Sequence, residues 1–156
     1  MPQVQGKSRT SWRAKLYKPT RTKMVPISNA MAKRFGQGMM LIPTALELDA
    51  MIRKIPRGEV STLAQVRSRL ARWYKVDLTC PLVSGIYLRI VAEAAEEDQL
   101  AGRPDVTPFW RVVGDDGKLN PKFPGGIEAQ ARHLREEGHR VEKGKIFTPD
   151  SAVTAA

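Results

Sequence analysis

The sequence predicts a mainly helical α+β fold on the winged helix-turn-helix plan, with three helices, a small β-hairpin wing, a C-terminal helix and a basic N-terminal arm. Three observations lead there. The first 46 residues are cationic, acid-free and proline-rich; three apolar-periodic segments with helix-start signals follow; and the last third is made of short β-prone runs and one more helix, punctuated by glycine. At 156 residues the chain is long enough for one compact domain and a tail. The expected division is a partly disordered basic arm over 1–43, a winged-helix domain over 44–148 and a short tail over 149–156.

In the arm, Pro2, Pro19, Pro26 and Pro43 with Gly36 and Gly38 exclude long helices, leaving short helical turns near Ser11–Tyr17 and Ala30–Phe35. The first full helix opens on Thr44-Ala45-Leu46-Glu47, a capping box, and presents Leu46, Met51, Ile52 and Ile55 before Pro56-Arg57-Gly58 ends it. The second starts at Ser61 or Thr62 with Gln65 as reciprocal cap and runs to about Trp73, its buried face being Leu63, Val66, Leu70 and Trp73. A third starts at Thr79, tolerates Pro81 in its first turn, and continues to about Glu96. Phe109 to Val113 reads as a strand, Gly114-Asp115-Asp116-Gly117 as a turn, and Lys118-Leu119 as the start of a return strand. A last helix spans Ile127 to Glu137 and stops at Gly138, and Arg140-Val141 pairs with Lys145-Ile146-Phe147 through Lys143-Gly144.

The formal net charge is +10, and its placement is uneven. Residues 1–46 carry nine basic side chains, among them Arg9, Arg13 and Lys15, and the first carboxylate is Glu47. The rest of the chain sets 17 basic residues against 16 acidic ones. A cationic arm of this kind reads as an electrostatic tether for a polyanion, most often nucleic acid, or else as a solvated extension. A membrane role is not expected: Trp12, Leu16 and Tyr17 make only a very short amphipathic face, and no apolar run approaches the roughly 20 residues of a span. One cysteine forms no internal disulfide, and with two histidines it makes a poor metal set. No metal or cofactor is expected, and a cytoplasmic setting, nucleoid-associated in a bacterium, fits the composition.

Several blocks carry a resemblance. Ile55-Pro56-Arg57-Gly58-Glu59-Val60-Ser61-Thr62, Pro108-Phe109-Trp110-Arg111-Val112-Val113 with Asp116-Gly117, Gly125-Gly126-Ile127-Glu128, and Leu134 to His139 keep the order and spacing of the C-terminal domain of the alkylguanine-DNA alkyltransferases. The resemblance runs from about Leu46 to Val141. That family attacks an alkyl carbon on a flipped guanine with a thiolate, aided by a histidine that works through water with a glutamate. Here the cysteine position holds Phe109 and the histidine position Trp110, while Glu137 matches the glutamate. Neither phenyl nor indole accepts an alkyl group, so the resemblance implies a member without alkyl transfer. It is closest in kind to the alkyltransferase-like proteins, which recognise alkylated bases without chemistry and are thought to signal to excision repair. That implies duplex DNA as partner, damaged bases as targets and a repair protein as a further partner.

The resemblance also locates candidate contacts. Leu63, after Thr62, holds the position of a tyrosine that pushes the phosphate during flipping, and Leu82 that of an arginine that fills the vacated stack. A leucine can still wedge between base pairs. Cys80, Leu82, Ser84 and Gly85 open the recognition helix, where small residues permit close approach to the minor groove, though Gly85 equally suits helix packing. Arg9, Arg13 and Lys15 add phosphate contacts from the arm. Phe109, Trp110, Arg111 and Glu137 form the base pocket, with Arg111 structural in the family. Phe109 and Trp110 are either a stacking surface or a plug of core side chains, and on a strand only one of them faces the pocket. Two other functions remain open. Cys80, near a helix start where thiols become reactive, is either a packing residue or a nucleophile assisted by His139 or Lys75; alternatively, the basic arm makes the protein an RNA-binding module. His133 and His139 read as solvated.

Overall fold

In the computed structural model, which describes residues 10–147, the helix starts are set by local chemistry. Helix α1 (Trp12–Leu16) is capped by Ser11 and helix α2 (Asn29–Phe35) by Ser28. Helix α3 (Ala45–Arg53) opens on the Thr44/Glu47 capping box, with Glu47 N–H donating to Thr44 Oγ1 at 3.2 Å and Thr44 N–H to Glu47 Oε1 at 2.9 Å. Its buried stripe is Ala45, Leu48, Met51 and Ile52, continued by Ile55; Leu46, expected inside, falls off that stripe and is exposed. Helix α4 (Leu63–Trp73) carries the second capping box, Thr62 with Gln65. Its buried stripe steps from Val66 to Leu70, and the next inward place, four residues on, goes to Tyr74. Trp73 is therefore exposed, not buried, with Lys54 Nζ 5.1 Å from its ring. Helix α5 (Pro81–Leu100) has Cys80 as its N-cap residue and Pro81 in its first turn, and it runs past Glu96 to Leu100.

From residue 10 onward, the stretch expected to be an arm is part of the folded body. Leu16 of α1 is buried against α5, whose Glu97 carboxylate accepts the N–H groups of Trp12 (3.1 Å) and Arg13 (2.8 Å), while Arg13 pairs with Asp98 at 2.8 Å. Strands β1 (Lys23–Pro26) and β2 (Met39–Ile42) pair antiparallel, and β2 pairs parallel with β4 (Leu78–Thr79) in the turn between α4 and α5. Leu41 is fully buried. Glu47 also accepts the hydroxyls of Thr22 and Tyr74, so one carboxylate joins the N-terminal stretch, α3 and α4. Burial pushes that carboxyl up, and the hydrogen bonds from Thr22, Tyr74 and Thr44 more than offset it, leaving it below the ordinary range. Residues 1–9, including Arg9, and the predicted tail from 149 onward lie outside the described residues.

The segment after α5 departs from its reading as a strand. Phe109–Arg111 is a 3-10 turn after Pro108, and only β5 (Val112–Val113) is extended, pairing parallel with β3 (Ser61–Thr62). The Gly114–Gly117 turn closes as expected, with Gly117 N–H donating to Gly114 O at 2.8 Å, but the return strand shrinks to a single bridge between Lys118 and Lys145. Helix α6 (Gly126–Glu136) is followed by Gly138 at φ 92°, a conformation that favours glycine just past a helix end. The wing expected before α6 is not formed as a hairpin, while the closing hairpin after α6 is present as expected: β6 (Arg140–Glu142) and β7 (Lys145–Phe147) are joined by Lys143 and Gly144, both at positive φ. The fold is thus a mainly helical α+β fold of the winged-helix kind. One core, around Leu48, Ile52, Val66, Val91 and Phe109, lies among α3, α4 and α5; a second, around Val60, Leu134, Val141 and Ile146, joins α6 to the hairpin. Among the described residues no helix is long and apolar enough to cross a membrane.

Candidate nucleic-acid interface

The helix-turn-helix of α4 and α5 brings the first residue of α4, Leu63, beside the first two turns of α5. Together they line an open groove of about 830 Å³, to which Trp12 and Lys15 of α1 and the loop Asn120–Phe123 also contribute. Leu82 is 73% exposed and Ile86 54%, so an apolar ridge stands free in the groove. Gly85 lies on the same face. A Cβ built there meets nothing within 4 Å, so packing does not demand a glycine; its effect is to leave the backbone of α5 bare to an approaching surface.

Four of the expected nucleic-acid contacts are placed elsewhere. Ser84 is fully buried, its hydroxyl donating to Cys80 O at 2.7 Å, because it sits on the inward face of α5. Cys80 is buried with Ile27 and Met40, and its N–H donates to Leu41 O, tying α5 to strand β2. It is a packing residue in this arrangement. Of its suggested activators, His139 is buried just after α6, beside Glu137, and Lys75 sits in the α4–α5 turn at φ 56°. Thr62 spends its hydroxyl on the α4 cap. Arg13 is committed to Asp98. Leu63, Leu82, Gly85 and Lys15 do share the groove.

The base-pocket residues come together, but as a closed cluster. Phe109 is 2% exposed, with its ring edge-on to Trp110 (5.4 Å), Phe123 (5.2 Å) and His133 (6.3 Å). Of the two readings of this side chain, a buried core plug is the one its placement matches. Trp110 stacks flat on His133 at 4.0 Å, and its Nε1–H donates to Glu137 Oε2 at 3.0 Å. His133 is thus half-buried under an indole rather than solvated, and burial pushes its imidazole below its ordinary pKa; His139, buried as well, is shifted the same way for the same reason. Arg111 grips Glu137 with both prongs (Nε to Oε1 2.9 Å, Nη2 to Oε2 2.8 Å) and donates to Ile55 O at 2.7 Å. The Glu137 side chain is 3% exposed. Its burial pushes the carboxyl up, but the hydrogen bonds from Arg111 and Trp110 more than offset that and hold it below the usual carboxylate range. The carboxylate is fully engaged in holding α6 to the turn at Phe109–Arg111.

Sequence reading missed Trp12, Ile86, Arg89 and the Asn120–Phe123 loop as parts of the groove. It also missed Gln130, fully buried, which accepts Asn120 N–H at 2.8 Å and donates to Trp110 O and Val112 O, so that it locks the loop to the cluster. A polar residue on the inward face of α6, in step with Ala131 and Leu134, was the available signal.

An exposed apolar ridge at the start of α5, bordered by cations and carried on a helix-turn-helix, is the arrangement of a winged-helix domain. The family model described as "6-O-methylguanine DNA methyltransferase, DNA binding domain" matches residues 46–139, and the chain belongs to that family. DNA is the partner such a domain supports. No curated protein matches the chain.

Proposed function

We propose that this protein binds duplex DNA without transferring an alkyl group, pressing the first two turns of α5 into the minor groove. The observation that carries this reading is the open groove with Leu82 and Ile86 standing exposed beside a bare Gly85. The buried Phe109 and the engaged Glu137 support the absence of alkyl transfer, since a phenyl ring stands where the family's acceptor sulfur would and the carboxylate is bound by Arg111 and Trp110.

Leu82→Ala and Gly85→Ala test it by fluorescence anisotropy on a short duplex. Burial of a leucine side chain is worth about 1.5–3 kcal/mol, so Leu82→Ala should weaken binding roughly 10- to 100-fold. Gly85→Ala should stabilise the protein by about 0.5–1 kcal/mol, because alanine is the better helix former, and still weaken DNA binding by blocking close approach. Unchanged affinity in both variants would refute the groove as the DNA site.

A second reading, recognition of alkylated or otherwise damaged bases, is favoured by a depression of about 330 Å³ that shares Leu63, Leu88 and Phe123 with the groove and is backed by Val112 and Val113. It predicts tighter binding to a duplex carrying methylguanine than to the unmodified duplex; equal affinity would remove it. With labelled methyl on the guanine, all label is expected to stay on the DNA. A stoichiometric methyl adduct on Cys80 in the mass spectrum would overturn the non-enzymatic reading.

A further inference from the structure

We propose that α1 is a second, preorganised DNA-contacting element, in which Lys15 and Arg89, held together on the Trp12 ring, form with Lys122 a clamp for the phosphates that flank the α5 groove. This rests on the groove being the DNA site. It adds a part that lies outside the matched family stretch, since α1 precedes residue 46.

The clamp is built from cations on three segments that line the groove. Lys15 Nζ sits 4.0 Å from the centre of the Trp12 ring, and Arg89 Cζ sits 5.3 Å from it. The indole attracts both cations and so lowers the cost of placing two like charges at one spot. The exposed Lys122, which also lines the groove, stands in a loop whose backbone is fixed by its own N–H to Asn120 Oδ1 and by Asn120 N–H to Gln130. None of the three cations has a carboxylate ion pair among the described residues. Two of the acids near α1 are already committed. Glu97 accepts two α1 amides, and Asp98 pairs with Arg13 and with Arg103. Those same contacts, with the buried Leu16, hold α1 against α5. Three cations without an ion-pair partner among the described residues are therefore carried around an apolar groove, two of them positioned by the Trp12 ring. That arrangement complements a polyanion whose charges border a groove, and it needs less ordering on binding than a flexible tail would. Duplex DNA with a leucine ridge in its minor groove has phosphates along both walls, and the cations that line the protein groove are the groups to meet them.

The test uses the full chain and an unmodified duplex of about 20 base pairs, with affinity measured by anisotropy across a range of salt. Each phosphate contact contributes roughly 0.9 to the slope of log affinity against log salt. Lys15→Ala, Arg89→Ala and Lys122→Ala should each flatten the slope by about one, and the triple variant by about three. Trp12→Ala should flatten it by about two while Trp12→Phe keeps it, with melting curves confirming that both variants fold. Leu82→Ala should lower affinity with the slope unchanged. An unchanged slope in the triple variant would overturn the clamp, and a loss in Leu82→Ala alongside it would leave the groove reading standing. A flattened slope with no effect of Leu82→Ala would keep the clamp and remove the groove reading. Equal flattening and equal affinity on duplex RNA would overturn DNA as the occupant.

Discussion

Phe109→Ala is expected to cost about 3–5 kcal/mol of stability, measured by denaturant unfolding. The ring is 2% exposed and meets Trp110, Phe123 and His133 edge-on, so truncation leaves a void that three aromatic neighbours, each held in place, cannot collapse to fill. At temperatures where the variant stays folded, its affinity for unmodified duplex should match the parent, because the groove lies on the other side of Phe123. A loss below about 1 kcal/mol would show that the side chain is not part of the core.

The second large effect concerns Glu137. Removing Arg111 leaves a carboxylate that is 3% exposed without its two-pronged partner, and Arg111→Ala should cost about 3–5 kcal/mol. Replacing both members with methionine should recover most of that loss, since a well-packed apolar pair avoids the desolvation of two charges. A double variant as unstable as the single one would show that Arg111 acts through its bond to Ile55 O instead. The pair also has a pH signature. The folded-state pKa of Glu137 is depressed, so its contribution is fully present above the unfolded value of about 4.3 and is lost as pH falls through the folded value. Stability measured between pH 7 and pH 3 should drop in the parent over that acid range, and Glu137→Gln should flatten this part of the profile. A variant profile parallel to the parent's would assign the acid sensitivity to other carboxylates.

What sequence could say about this molecule followed the range of the interactions involved. The Thr44/Glu47 and Thr62/Gln65 boxes act over three residues, and the Gly138 stop and the Lys143-Gly144 turn are equally local, so all four were readable. The pairing of Met40 with Leu78 and the docking of α1 on Glu97 join distant segments, and no local pattern marks them. For that reason residues 10–43 read as an arm although Leu16 and Leu41 are buried. Phe109–Arg111 has the composition of a strand, and the tight turn after Pro108 overrides it. The choice of Tyr74 over Trp73 as the inward aromatic turned on one step of helical phase. At the site, Phe109, Trp110, Arg111 and Glu137 were found together through the resemblance, whereas the groove wall made by Trp12 and Lys15 depends on tertiary docking.

The two cores bear on what counts as an autonomous folding unit. The family match spans 46–139, yet the first core takes Leu16 and Leu41 from before that stretch and the second takes Val141 and Ile146 from after it. Glu47 reinforces the dependence, since a fragment beginning at residue 46 would keep the acceptor but lose Thr22 and the Thr44 cap that satisfy it. A piece cut at the match boundaries would expose apolar surface at both ends and leave α3 uncapped. In this chain the inherited segment and the cooperative unit have different borders, and the borders of the cooperative unit are the ones a stable fragment has to respect.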